Sequence, residues 1–172
     1  GRTDGSGKTK EVCQTADVRP LYLNRCPENV KAKAAENLVK LGEKNDYKIG
    51  TGFPGTPYIL FALADNGHAD TAYKMLLNTQ CPSWLYEVKM GATTIWERWN
   101  SIRPDGSFNP ANMNSLNHYA YGSIGNWLYT KLCGLEILEP GYKKFALRPQ
   151  LIKGITHAEL TYEGVYGKIA IA

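Results

Sequence analysis

The chain has 172 residues, of which 43% are apolar and 21% charged, and a net charge of +4. That is enough chain for a domain with a real core, its balance is that of an ordinary globular protein and argues against disorder, and so mild a charge without a long Lys/Arg run gives no support to nucleic acid as a partner. No stretch approaches the ~18 apolar residues of a membrane span, so no membrane partner is expected.

Residues 1–15 are polar and Gly-rich, without the apolar core of a signal peptide. Gly7-Lys8-Thr9 invites comparison with a P-loop, but that motif needs Gly where Arg2 stands, and no apolar strand precedes it. A solvated loop is the better reading. Cys13, Cys26, Cys81 and Cys133 are scattered and form no C-x-x-C pair, which disfavours zinc. They read as free buried thiols or as two disulfides. No cluster of Asp, Glu or His has ligand spacing, so neither a metal nor another cofactor is expected.

A short helix is predicted around residues 14–22, limited in regularity by Pro20. A second starts at Cys26-Pro27-Glu28, with Val30, Ala34, Leu38 and Leu41 at helical spacing, and ends near residues 42–45. Three glycines and two prolines between Ile49 and Pro57 make a loop, read equally as a site-lining segment or a tight connector. A strongly apolar helix follows over 57–65, stopped by Asn66-Gly67, and another over 68–78, with His68 a surface or capping residue. Helix, short turn, helix, short turn reads as α-hairpins in a bundle or an α/α barrel.

A further element begins at Pro82-Ser83-Trp84-Leu85-Tyr86. Then comes Gly91-Ala92-Thr93-Thr94-Ile95-Trp96-Glu97-Arg98-Trp99-Asn100, with one carboxylate between two tryptophans and a cation beside it. An apolar wall disfavours ionisation of a carboxyl group and a cation favours it, a balance suited to a general base. The alternative is an amphipathic segment whose tryptophans fill a core. After the turn at Asp105-Gly106, an apolar stripe predicts a long helix over 115–133, capped by Gly134, with His118, Tyr119 and Tyr121 in its first turns. The character changes after Glu139-Pro140-Gly141, where strand-like segments over 142–149, 155–163 and from Ile169 replace helices. The expected division is therefore a helical part, 1–139, and the start of a β domain, 140–172. The final alternation breaks off at Ala172, and the chain reads as a piece of a longer protein.

Four motifs in order carry a resemblance: Thr51-Gly52-Phe53-Pro54-Gly55-Thr56-Pro57-Tyr58, Pro82-Ser83-Trp84-Leu85-Tyr86, Gly91-Ala92-Thr93-Thr94-Ile95-Trp96-Glu97-Arg98-Trp99, and Met113-Asn114-Ser115-Leu116-Asn117-His118-Tyr119-Ala120-Tyr121-Gly122. Together they resemble the bacterial α-L-rhamnosidases of glycoside hydrolase family 78, over nearly the whole chain. The resemblance implies a mainly α fold, the last part of an (α/α)6 barrel followed by the start of an antiparallel β-sandwich. It implies inverting hydrolysis of terminal α-L-rhamnose from glycosides or polysaccharides, with Glu97 as the base that deprotonates the attacking water. His118 would contact the sugar, and Trp84, Tyr86 and Trp96 would wall its apolar face, unless they are barrel packing. Inversion needs a second carboxyl roughly 6.5–9.5 Å away as acid. In the family that acid lies in an Arg-Asp-Glu-Arg motif followed by Gly-Trp-Thr-Gly-Asp, which does not occur here; the remainder of the parent chain is the expected partner that supplies it. Asn100 and Pro54 also depart from the family pattern, where Asp and Val are usual. Two other readings compete: a non-catalytic carbohydrate-binding or scaffold fragment, and another (α/α)6 enzyme acting on sugars, against which the Glu97 and His118 motifs speak together.

Overall fold

A computed structural model describes residues 13–152 and 154–172. Gly7-Lys8-Thr9 lies outside the described residues. The chain divides into two compact units, residues 1–123 and 124–172.

The first unit is helical. Helix α1, Gln14–Tyr22, packs on α2, Glu28–Lys44, and on α3, Thr56–Ala64; α3 packs in turn on α4, Ala69–Leu76. Each lies within two residues of its predicted ends; α2 and α4 bury one apolar face, whereas α3, apolar nearly all round, buries every residue from Ile59 to Ala64. Val18, Leu38, Ile59, Leu63, Ala72, Tyr73 and Met75 are fully buried between these helices. Pro20 stands inside α1 without ending it, and Arg25 donates its amide to the Pro20 carbonyl at 2.9 Å just beyond the helix. At Gly42, α2 lies tight against α4: a Cβ there would come within 2.8 Å of Met75 Cε. His68 occupies the N-cap position of α4 without a side-chain capping bond.

Helix α5, Trp84–Lys89, is short and properly capped, with Ser83 Oγ accepting the Tyr86 amide at 3.2 Å. Beyond it, residues 90–119 contain no helix and no strand longer than the isolated Ile102–Phe108 bridge. A 3₁₀ turn, Ala120–Ser123, closes the unit and packs on α3. The long helix predicted over 115–133 does not form: the 3₁₀ turn is followed by one turn of α-helix, α6, Ile124–Trp127, and a π-helical turn, Leu128–Leu132. The apolar stripe is real, but its first residues are drawn into backbone pairing with residues 94–97, which a helix over 115–119 would forbid.

The second unit carries two antiparallel hairpins, β1–β2, Leu135–Glu139 with Lys144–Leu147, and β3–β4, Leu160–Gly164 with Gly167–Ile171. Sequence patterning missed β1, whose Ile137 and Leu138 are exposed and break any alternation. The expected boundary after Glu139 therefore falls inside a hairpin. Leu160, Ala158 and Tyr162 do share one face, meeting Ile169, Ile171, Cys133 and Leu135 in a small core. Gly134 is required where it stands. Its φ is 73°, and a Cβ would lie 2.1 Å from the Pro149 nitrogen. All four cysteines are free thiols, but only Cys133 is buried. Burial pushes the thiols of Cys26, Cys81 and Cys133 upward.

Candidate active site

Three segments of the first unit bring the candidate residues together. The first is the glycine-rich loop between α2 and α3. Gln14, at the start of α1, holds it: the side-chain oxygen accepts the Gly50 amide at 2.6 Å, and the side-chain nitrogen donates to the Lys48 carbonyl at 3.2 Å. The Ile49 amide donates to the Pro82 carbonyl at 3.0 Å, which ties the loop to the entry of α5. Thr51 and Thr56 share a buried hydroxyl contact at 2.8 Å that closes its far side. Phe53 projects from this fixed loop, 40% exposed.

The second and third segments run side by side without forming a regular sheet. Glu97 donates its amide to the Ser115 carbonyl at 2.9 Å, and Ser115 donates its own amide to Glu97 Oε2 at 2.8 Å. His118 donates its amide to the Ile95 carbonyl at 2.8 Å, and the Thr94 hydroxyl donates to the Leu116 carbonyl. One oxygen of the Glu97 carboxylate is thereby aimed by a backbone donor, and its residue is half-buried. Arg98 turns to the Met113 carbonyl through Nε. Behind this pairing, Asn100 Oδ1 accepts from Asn109 Nδ2 at 2.9 Å. That acceptor role suits Asp equally, so the departure from the family pattern at Asn100 is chemically slight.

His118 Nδ1 accepts the Ala120 amide at 3.3 Å. In the neutral ring that leaves the proton on Nε2, free to be donated to a hydroxyl. The imidazole stacks on Phe53 with centroids 4.9 Å apart and 12° between planes. Tyr119, 89% exposed, lies parallel to the same imidazole with centroids 5.5 Å apart. The three other aromatic candidates are placed differently. Trp96, Trp84 and Tyr86 retain only 2%, 6% and 6% of their surface. Trp84 Nε1 donates to the Tyr121 carbonyl at 2.9 Å, and the Tyr86 hydroxyl donates to the Ile102 carbonyl at 2.8 Å. Trp99 stacks on Tyr121 at 3.9 Å and takes the edge of Trp84 at 5.4 Å. These rings form a floor under the loop of Glu97, with no broad free face for a sugar.

Two residues escaped sequence reasoning. Phe53 stands in the first of the four motifs, in a glycine-rich setting, but nothing in the sequence gave its ring a role. Glu87 sits on α5 among apolar neighbours and is almost fully buried, and its Oε2 accepts the Trp96 amide at 3.3 Å. Burial pushes its carboxyl up to about 7, the Trp96 bond opposing. Its acidity in a helix of six residues looks like an ordinary solvent-facing charge in sequence. Among the described residues no group of three or more His, Cys, Asp or Glu side chains is placed to hold a metal ion.

Residues 3–132 match the bacterial alpha-L-rhamnosidase 6 hairpin glycosidase domain, and residues 134–172 match the bacterial alpha-L-rhamnosidase C-terminal domain. The chain belongs to the bacterial α-L-rhamnosidase family. Its helical unit is part of the six-hairpin glycosidase domain, and its strands belong to the C-terminal β domain. An alpha-L-rhamnosidase of Streptomyces avermitilis is 43% identical over 95% of this chain, and one of Formosa agariphila is 41% identical over 96%. The crystal structure of the Streptomyces avermitilis enzyme complexed with L-rhamnose superimposes with a TM-score of 0.92 at 42% identity over 97% of the chain. That of the Aspergillus terreus alpha-L-rhamnosidase gives 0.93 at 39%, also over 97%. The chain spans only 16–20% of the length of these rhamnosidases.

Proposed function

We propose that this chain supplies the water-activating half of an inverting α-L-rhamnosidase active site. The carrying observation is the reciprocal pairing of Glu97 with Ser115, which holds one carboxylate oxygen at 2.8 Å from a backbone donor. A base that must face a water in one orientation needs that kind of fixing. Its other oxygen takes the proton of the attacking water. His118, braced by Phe53 and by the Ala120 amide, presents Nε2–H to a sugar hydroxyl. Phe53 and Tyr119 offer the accessible aromatic faces against which the apolar side of rhamnose packs, while Trp84, Trp96 and Tyr86 support the loop from beneath. The general acid comes from another part of the parent enzyme, beyond the segment matched here. The glycosidase portion runs to Leu132 and the β portion from Gly134.

Release of p-nitrophenol from its α-L-rhamnoside tests the reading. The full-length parent turns the substrate over and first liberates the inverted anomer, seen by proton NMR. The isolated 172-residue chain stays at background, because the acid commonly contributes about 10²- to 10⁴-fold. Turnover by the chain alone, or retention of configuration by the parent, would contradict this assignment.

A further inference from the structure

Two residues fix the backbone on either side of the base. Glu97 itself is tied forward to Ser115. Trp96, the residue before it, is tied back to α5, and the group that receives its amide is a side chain rather than a backbone carbonyl. That side chain is Glu87, 3% exposed, with Oε2 on the Trp96 amide and Oε1 buried without a hydrogen-bond partner. The Glu87 backbone carbonyl also accepts the Ala92 amide at 3.0 Å, so the same residue closes α5 and reaches nine residues ahead. A carboxyl placed in the interior with half of its acceptors idle is costly to stability, which makes its single contact the informative one.

We propose that Glu87 is the positioning residue of the base, holding the Trp96 amide so that the carboxylate of Glu97 keeps its setting against Ser115. The inference rests on the reading of Glu97 as the base. Glu87 touches neither substrate nor the reacting atoms; it acts through the peptide between residues 96 and 97. An ionised carboxylate holds an amide more strongly than a neutral carboxyl does, by roughly a factor of two. Burial brings the changeover of Glu87 to about 7, within the range where activity is measured. The titratable groups whose charge Glu87 meets are the thiol of Cys81 and the phenol of Tyr121, and Tyr121 also meets Arg98 and Glu97. The two groups facing Glu87 directly are pushed upward in their own titration, so both are neutral near pH 7 and Glu87 is the charge that changes there.

The test uses Glu87→Asp, Glu87→Gln and Glu97→Gln in the full-length parent, with p-nitrophenyl α-L-rhamnoside as substrate. Glu87→Asp keeps the charge and loses the reach, and lowers kcat at least about tenfold with KM within about twofold. A folded Glu87→Asp enzyme with the wild-type kcat would overturn the proposal. Glu87→Gln keeps the reach and cannot ionise. The ratio of wild-type to Glu87→Gln kcat cancels every titration the two enzymes share, and it rises about threefold between pH 5.5 and 8.5. A flat ratio overturns the proposal even if the Asp variant fails to fold. Glu97→Gln separates the two levels: if it retains full turnover, the assignment of the base has failed. If it is inactive while both Glu87 criteria fail, only the positioning role has.

Discussion

The α1–α4 layer and the loop of residues 90–119 share one compact unit, yet different forces hold them. The layer is an interior of Val18, Leu38, Ile59, Leu63 and Met75, all fully buried, and its helices place no candidate catalytic group. The loop has no regular structure of its own. It is fixed by single polar contacts from Glu87, Ser115, Ile95 and Leu116 and by a floor of Trp84, Trp96, Trp99 and Tyr121. Apolar burial is non-directional and tolerates small shifts, whereas a hydrogen bond to one carboxylate oxygen sets an angle. The unit thus uses burial for its framework and directed bonds in the loop that carries the proposed base.

Substitutions on the two sides should separate accordingly. Trp99→Ala removes the ring between Trp84 and Tyr121. We expect a loss of about 4 kcal/mol in stability, together with a fall in kcat of the folded enzyme, read by urea unfolding and by rates corrected for folded fraction. Ile59→Ala, in the middle of α3, should cost about 3 kcal/mol and leave kcat per folded molecule unchanged. If Ile59→Ala lowers kcat as Trp99→Ala does, the framework and the site are not separable in this way.

Glu87 gives the smallest and most specific effect, because it stands on α5, outside both regions, and reaches into the loop through the Trp96 amide. Its folded value, about 7, lies above its ordinary 4.5. Such a raised carboxyl binds more protons in the native than in the unfolded state, so its contribution is intact below about 4.5 and is lost as pH rises to about 7. The full loss is of the order of 3 kcal/mol at most. Unfolding of wild type and Glu87→Gln across pH 4 to 8 should show the wild type falling behind through this window and then running parallel. Curves parallel throughout would mean that Glu87 stays ionised in the fold.

What was legible in the sequence follows the same division. Helix α2 was readable because its stripe records burial at a fixed period, and α3 because it is apolar nearly all round and stops at Asn66-Gly67; the start of α5 was marked by Pro82 to Tyr86, whereas the Ser83 cap emerged only in the structure. The pairing of Glu97 with Ser115 joins residues eighteen apart and leaves no periodic trace. It also consumed the first residues of the predicted 115–133 helix, whose stripe gave no hint that residues 94–97 would claim their backbone groups. Glu97 stood out by its place between Trp96 and Trp99, its expected role and that of His118 came from the motif resemblance, and both residues lie on the paired loops. Trp84, Trp96 and Tyr86 stood in the same motifs, but a motif does not say which side of a loop a ring occupies. Strand β1 was missed because Ile137 and Leu138 both lie exposed, against the alternation on which strand reading depends.

The most direct measurement is kcat and KM of Glu97→Gln in the full-length parent on p-nitrophenyl α-L-rhamnoside. The amide keeps the size of the side chain and removes its capacity to take a proton from water. The account expects kcat to fall by about 10²- to 10⁴-fold with KM nearly unchanged. Turnover within a few-fold of wild type, from an enzyme that remains folded, would contradict it.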